Sequence, residues 1–522
     1  MGVDRRQGLV ETLIRLRVSE HPDSTWLKFK DQRITWGQTL SNCQRFANGL
    51  VELGVTPSDA LGVICSNRPE FLWAHFGAGF IGATSIPINT SQRGNALEHI
   101  FNDAKVRWVV GEWNILEQLG SEIASCPHLD GIVAIDTPKY PTLKETRIVT
   151  FESLMCAQDR EPQVEVLSSP PAAGMLYTSG TTGPPKGVVS TKADPGGLLE
   201  ILNALELSAG ETMYCALPLF HGNALLISTL GSMVLDAQLG LSERFSASHF
   251  FDELKLYEAV EFNALGAIVS ILMSRPPSSK DRDHQVRTVL SAGCPDHLWR
   301  DFEKRFGVKL VEFYGMVDAP GLLLNRDSVV GSMGKPVGGS EFALQSPNGN
   351  ILGPGKIGEL VFRTPLGKST SYHNNQEATE EAWRDGWFHT GDLAETNSDG
   401  YYFFRGRMKE SIRRRGENIS PWEIESVVST HPNVIECAAH AVPSPLGEDE
   451  VKLCVVLREP RSTSQQEIYD HCVGKMANYC LPRFIEVVEE LPKTSTLKIS
   501  YKDLRSRPLT DDTWDHDKEG TG

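Results

Sequence analysis

The 522-residue chain lacks the marks of several protein classes. Its ten cysteines, from Cys43 to Cys480, form no CxxC pair and no zinc spacing, so they read as reduced thiols of a cytoplasmic protein. No apolar run is long enough to span a bilayer: the most apolar stretch, Ala224 to Leu235, is broken by Ser228, Thr229 and Ser232. The N-terminus, Met1-Gly2-Val3-Asp4-Arg5-Arg6, has neither the apolar core of a signal peptide nor the Ser or Thr that myristoylation requires at its sixth position. Positive charge is short as well. Fifty-one Lys and Arg against 67 Asp and Glu leave a net charge of −16, which argues against nucleic acid or an anionic membrane as a general partner. There is no internal repeat. There is also no Walker A loop, which needs four residues between its first glycine and Gly-Lys.

What is there is a chain long enough for two or more domains, with strand and helix patterns in alternation. Helical spacing over Leu9 to Val18 precedes a strand pair, Trp26 to Lys30 and Arg33 to Trp36. A helix then runs from near Thr35 towards Leu53. Leu61 to Cys65, Val106 to Val110 and Gly131 to Ile135 read as buried strands. Asn67 is expected to cap a helix with Pro69 in its first turn. Such alternation predicts a mostly parallel sheet with ligands at the carboxyl ends of its strands. A linker rich in Pro, Ser and Glu covers Glu161 to Pro171. From Gly334 short strands and turn signals predict a small β subdomain, and beyond Arg405 the pattern is α/β again. The tail after Pro508, with Asp511, Asp512, Asp515, Asp517 and Glu519, is expected to be disordered.

The segment Tyr177-Thr178-Ser179-Gly180-Thr181-Thr182-Gly183-Pro184-Pro185-Lys186-Gly187 can wrap phosphate. Glycines let backbone N–H groups turn inward, hydroxyls donate further bonds, and Lys186 adds a point charge. A polar surface loop is the plainer reading of that cluster alone. Because Met175-Leu176-Tyr177 reads as the end of a buried strand, the loop is expected at a strand's carboxyl end. Further along, Phe313-Tyr314-Gly315 offers an aromatic face to a base. Trp387-Phe388-His389-Thr390-Gly391-Asp392 is expected to end a strand in a turn that exposes a carboxylate to a ribose diol. Two basic segments, Arg405 to Lys409 and Arg413-Arg414-Arg415, suggest a polyanion, with a solvated charge run as the plainer reading.

In order and spacing, Tyr177 to Gly187, Phe313 to Met316, Gly334-Lys335-Pro336, Gly358-Glu359-Leu360, Gly386 to Asp392, Gly406-Arg407, Gly416 to Pro421 and Leu491 to Ile499 resemble the adenylate-forming superfamily. The resemblance covers about residues 10–500 and is nearest the crotonobetaine/carnitine-CoA ligase branch of its acyl-CoA synthetases. It implies an α/β fold: a large N-terminal domain of two α/β subdomains plus a β-barrel (1–408) and a small mobile α+β C-terminal domain (409–507), hinged at Lys409. It also implies two half-reactions: a carboxylate attacks the α-phosphate of ATP, with Mg²⁺, and coenzyme A thiolate then attacks the acyl-AMP.

By the same resemblance Thr178, Ser179, Gly180, Thr181, Thr182, Gly183 and Lys186 would hold phosphates. Gly293 and Cys294, in the Ser291 to Pro295 turn, would border adenine with Tyr314, while Gly315 and Val317 would also meet the nucleotide, Val317 at its phosphate. Asp392 would take the ribose, with Arg407 beside it. His221 would gate the acyl group, lined also by Asn223, Gly266, Ala267 and Gly315. Lys498 would serve adenylation and Gly416 the CoA tunnel. The small residues of Phe262-Asn263-Ala264-Leu265-Gly266-Ala267 would leave room for a bulky acid.

Two departures from the family pattern stand out. Tyr314-Gly315-Met316-Val317-Asp318 has Val317 and Asp318 where Thr and Glu are usual, which removes a hydroxyl donor and shortens the carboxylate expected to bind Mg²⁺. Ser495 and Leu497 replace glycines before Lys498, which is expected to misplace that lysine. Both changes fall on ATP activation. The expectation is therefore impaired adenylation, with acyl-AMP plus CoA as the main reaction and a separate adenylating enzyme as partner. A complete ligase, a carrier-protein-loading enzyme and a non-enzymatic nucleotide-binding regulator are the alternatives, and a homodimer is the default assembly.

Overall fold

The computed structural model describes residues 8–136, 147–164, 174–178, 184–190, 196–414, 417–443, 449–459, 462–494, 498–510 and 512–519. Two parallel sheets dominate the larger part. One has five strands in the order Thr84–Pro87, Ala60–Ile64, Val106–Glu112, Gly131–Ile135 and Ile148–Thr150. The other has nine strands. Its centre runs Lys309–Tyr314, Thr288–Ala292, Ala259–Leu265, Thr212–Cys215, Gln238–Leu241 and Thr25–Phe29, all parallel, with antiparallel strands at both edges. Strands buried on both faces read as unbroken apolar runs, which is why Ala60–Ile64 and Gly131–Ile135 carry no polar alternation.

The Pro69–Phe80 helix is apolar nearly all round and packs on Trp36–Glu52, whose N-cap Thr35 forms a capping box with Gln38. A Cβ on Gly77 would lie 2.9 Å from the Phe46 ring and 3.1 Å from the Cys43 carbonyl, so glycine sets how closely these helices approach. Asn67 does not cap this helix, because Arg68 occupies the N-cap position. It is 3% exposed and lies just past the Ala60–Ile64 strand of the five-stranded sheet. Its Nδ2 donates to the carbonyls of Leu217 (2.9 Å) and Ser242 (3.0 Å), and its Oδ1 accepts from the Leu219 N–H (2.8 Å). Asn67 thus ties the carboxyl ends of the two parallel sheets together.

The expected small β subdomain is a five-stranded antiparallel sheet built on Trp387–Thr396, with Ile357–Arg363 and Tyr402–Arg407 on its two sides. Met408–Glu410 is a single 3₁₀ turn leading into the C-terminal part. There Val434–Pro443, Asp449–Leu457, Phe484–Val487 and Trp514–Asp515 form one sheet with its own apolar core. This part packs on the last strand of the β subdomain: Ser420 Oγ donates to the Arg405 carbonyl (2.6 Å), and the Arg405 guanidinium lies 4.3 Å from the Trp422 ring centre. Among the described residues no helix is long and apolar enough to cross a membrane.

Residues 512–519 of the tail are folded, contrary to its acidic composition. Trp514 and Asp515 pair with Ile485 and Phe484, and Trp514 is 8% exposed beside Tyr469. Arg483 Nε lies 3.1 Å from Asp515 and 3.2 Å from Asp517, so carboxylates that suggested a solvated tail are used as partners. Replacing Trp514 with Ala is expected to cost about 2–3 kcal/mol in the C-terminal domain, somewhat below a fully buried aromatic. Urea unfolding of the variant and of a chain ending at Pro508 checks this, and unchanged midpoints in both would mean a loose tail.

Candidate active site

Asp392 lies inside the ten-residue strand Trp387–Thr396 and is 5% exposed, so it is not presented on a turn as its motif suggested. A bulge re-aims the strand just before it. Glu359 accepts the Gly391 N–H (3.2 Å) and pairs with His389 Nδ1 (2.9 Å), while Thr390 Oγ1 donates to the Leu360 carbonyl (2.6 Å). The Asp392 carboxylate accepts from the Tyr314 hydroxyl at 2.7 Å and faces Arg407 Nε at 3.2 Å, its direct cross-strand partner. Burial raises its pKa despite these partners and the nearby Lys498 charge. A carboxylate so held keeps lone pairs on both oxygens, which suits a diol.

Lys498, although exposed as a residue, lies within electrostatic reach of Arg407, Asp392 and Glu410, where loss of water around its ammonium and the Arg407 charge lower its pKa. Its loop is closed at both ends: the Thr494 N–H donates to the Lys498 carbonyl (2.7 Å), the Lys498 N–H to Thr494 Oγ1 (3.2 Å), and Lys493 pairs with Glu436. Ser495, Thr496 and Leu497 lie outside the described residues. His221 lies within electrostatic reach of the lysine. Burial, and secondly the Lys498 charge, push its pKa down to about 4, so its ring is neutral at neutral pH. Lys409 lies on the 3₁₀ turn, its carbonyl accepting from Arg505 (3.3 Å).

The Ser291 to Pro295 turn, expected to border adenine, is held from behind. Gly293 has φ +80°, and the Glu312 carboxylate accepts the N–H groups of Gly293 and Cys294. A Cβ on Gly266 would meet the Gly293 carbonyl at 2.0 Å, so only glycine lets the Gly266–Ser274 helix begin against this turn, with Ala267 in its first turn. Tyr314 and Gly315 close the same side, a Cβ on Gly315 meeting Leu322 at 2.4 Å.

Thr178 and Lys186 face each other in an antiparallel hairpin, not at the end of a parallel strand. The loop between them, Ser179, Gly180, Thr181, Thr182 and Gly183, lies outside the described residues, as does Gly416. Lys186 Nζ sits 4.7 Å from the Tyr372 ring centre, and the Tyr372 hydroxyl donates to Asp318 Oδ1 at 2.7 Å. Among the described residues no three His, Cys, Asp or Glu side chains gather to enclose a metal ion. Asp318 alone, within electrostatic reach of Asp392, fits a Mg²⁺ that keeps most of its waters and takes further oxygens from phosphate. Val317 lies against Gly222, where a Cβ would meet its methyl at 2.8 Å.

The basic segments divide. Arg407 faces the site, whereas Arg414, with its side chain 7% exposed, is used internally by Glu450 (2.7 Å) and the Tyr479 and Leu481 carbonyls. Arg405 pairs with Glu395 (3.1 Å). Sequence reasoning missed Glu312, Glu410 and Tyr372. A charge inside the apolar run Leu310-Val311-Glu312-Phe313 was the available signal for the first.

A buried carboxylate, a propped turn and cations converging from the β subdomain and the C-terminal part thus lie together in this fold. The chain belongs to the AMP-binding enzyme family: that family's model matches residues 14–372, and the model of the AMP-binding enzyme C-terminal domain matches residues 423–498. An oxalate–CoA ligase of Arabidopsis thaliana is 29% identical over 96% of this chain and 98% of its own length. A crotonobetaine/carnitine–CoA ligase of Salmonella typhimurium is 27% identical over 91% of this chain and 93% of its own. An anthranilate CoA ligase solved in complex with anthranoyl-AMP superposes with a TM-score of 0.83 at 26% identity, covering 95% of this chain and 96% of that one.

Burial pushes the Glu312 carboxyl up to about 7, against the two N–H groups that favour its ionised form. A carboxyl that holds its proton longer when folded adds stability below its ordinary pKa, and that stability is lost as pH rises through 7. Glu312→Gln keeps the acceptor and removes the titration. The stability difference between wild type and Glu312→Gln is expected to shift by about 3 kcal/mol between roughly pH 4 and pH 8. Paired denaturation curves across that range check it.

Proposed function

We propose that the chain is a complete acid–CoA ligase that both forms an acyl-adenylate from a carboxylic acid and ATP and transfers the acyl group to coenzyme A. The observation that carries this reading is the seat of Lys498 among Arg407, Asp392 and Glu410, next to His221. What supports it over a thiolation-only enzyme fed by a separate adenylating partner is that Lys498, with Ser495 and Leu497 before it in the sequence, still stands within electrostatic reach of these groups. Arg407 and Lys498 repel each other there, and a polyphosphate between them relieves that repulsion.

In this reading Asp392 accepts the ribose hydroxyls, Glu312 holds the turn that borders the base, and Lys186 with the glycine-rich loop holds the phosphates. Asp318 would hold Mg²⁺, which supplies charge neutralisation at the phosphate oxygens. The acid's carboxylate passes His221, and Lys498 and Arg407 stabilise the charge that develops as pyrophosphate leaves. Neither half-reaction needs a covalent enzyme nucleophile, so positioning and electrostatics do the work. Val317 lacks one hydroxyl donor, a loss of about 0.5–1.5 kcal/mol that slows adenylation without abolishing it.

The 1–408 and 409–507 parts act as two domains hinged at Lys409, on the Met408–Glu410 turn. Rotation there would carry Lys498 away and bring Gly416 to the CoA path for the second half-reaction.

Thioester formation read by mass spectrometry tests the proposal, run once with acid, MgATP and CoA and once with prepared acyl-AMP and CoA. Both runs are expected to give thioester. Lys498→Ala should lower the first by about 100-fold or more and the second by far less. Thioester from acyl-AMP alone in the wild type would restore the thiolation-only reading.

A further inference from the structure

The strand Val260-Glu261-Phe262-Asn263-Ala264-Leu265 runs through the middle of the nine-stranded sheet, and its alternation puts Glu261 and Asn263 on one face. Glu261 is fully buried and Asn263 is 3% exposed. Packed on this strand is Asn223–Leu230, eight residues of π-helix that begin two residues after His221. The wide turn is fixed by Thr229 Oγ1, which donates to the Ala224 carbonyl at 2.9 Å. π-Helical turns are uncommon and gather at functional sites.

Between the two elements the amides pair. Asn263 Nδ2 donates to Asn223 Oδ1 and to Ser228 Oγ (3.0 Å). That leaves Asn263 Oδ1 and Asn223 Nδ2 buried with no hydrogen-bond partner, together with both Glu261 oxygens and His221 Nε2. Exchanging nitrogen and oxygen in both amides reverses which residue donates. The pair still offers one N–H and one C=O. Unpaired buried polar atoms cost about 1–3 kcal/mol each, so several in one place call for a partner between them, a water or a bound group.

The cluster continues the acyl site. Asn223 adjoins His221, and Asn263 lies three residues before Gly266, where the Gly266–Ser274 helix meets the adenine turn. We propose that the acid this site accepts carries, away from its reacting carboxylate, a neutral group that both accepts and donates a hydrogen bond, a hydroxyl or a carboxamide, held between Asn223 and Asn263. Glu261 lies on the same face of the strand, and among the described residues no lysine or arginine bonds to either amide, so a second carboxylate finds no counter-charge between them. Plain hydrocarbon leaves the amide atoms unpaired. This rests on the acid–CoA ligase reading above.

The test uses matched pairs of acyl-AMP esters, hydroxybenzoyl against methylbenzoyl and ω-hydroxyalkanoyl against the methyl isostere, each with CoA. Thioester rate gives kcat/KM, and calorimetric binding of the corresponding acyl-sulfamoyl adenosines reads the preference without turnover. The hydroxyl member of at least one pair is expected to be preferred by about tenfold or more, since a site built to hydrogen-bond a hydroxyl rejects the analogue lacking it. Asn263→Leu and, independently, Asn223→Leu are expected to invert that ratio. Equal preference within every pair, a fall of both members alike in the variants, or preference for an ammonium-bearing acyl group would overturn the proposal. Preference in binding with no thioester from any ester would leave the pocket assignment standing and sink the ligase reading instead.

Discussion

Burying the Asp392 carboxylate is the constraint on which the rest of the site depends. An ionised side chain 5% exposed is costly unless partners come to it, and its partners come from separate parts of the chain. Tyr314 ends a strand of the nine-stranded sheet, and Arg407 ends the last strand of the β subdomain. Lys498 arrives from the C-terminal part. Satisfying one buried charge therefore fixes the β subdomain against the large sheet and favours the arrangement in which Lys498 is present. Arg407 stands directly before the Met408–Glu410 turn, so motion there disturbs this ionic cluster before it disturbs any apolar core.

A second constraint is mechanical. Asn67 spends three hydrogen bonds tying the ends of the two parallel sheets, and Glu312 props the turn that carries Gly293. Both are buried polar residues that touch only protein. Their effect on chemistry is to fix where two strand ends lie, which keeps the acyl and nucleotide sites in register.

Local features were legible in the sequence, and features set by distant partners were not. The helix start near Thr35 and the apolar strands Ala60–Ile64 and Gly131–Ile135 depend on neighbours within a few residues. Asn67 looked like a cap because Pro69 follows it, but its partners lie 150 residues and more away. Asp392 looked like a turn residue because Thr390-Gly391 precedes it, whereas pairing with Arg407 keeps the strand running to Thr396. The hairpin joining Thr178 to Lys186 was hidden for the same reason: Leu176–Thr178 is too short to declare its partner. Charge density misled twice, at Arg414 and in the tail, since composition cannot tell a solvated charge from one with a buried or paired counterpart.

The departures at Val317 and Asp318 are smaller physically than they look in the motif. Valine has nearly the shape of threonine, so the contact with Gly222 survives and only one hydroxyl is lost. Asp318 is shorter than glutamate but is oriented by the Tyr372 hydroxyl, whose ring also carries Lys186. The charge balance around His221 points the same way. A protonated histidine there would bind the incoming carboxylate as a salt bridge and stabilise the ground state, which does nothing for the chemical step. Burial and the Lys498 charge keep the ring neutral, which in the proposed reading would leave the carboxylate nucleophilic and the cations free to meet phosphate charge. That division of charge between the two ends of the site supports the acid-activating reading proposed above.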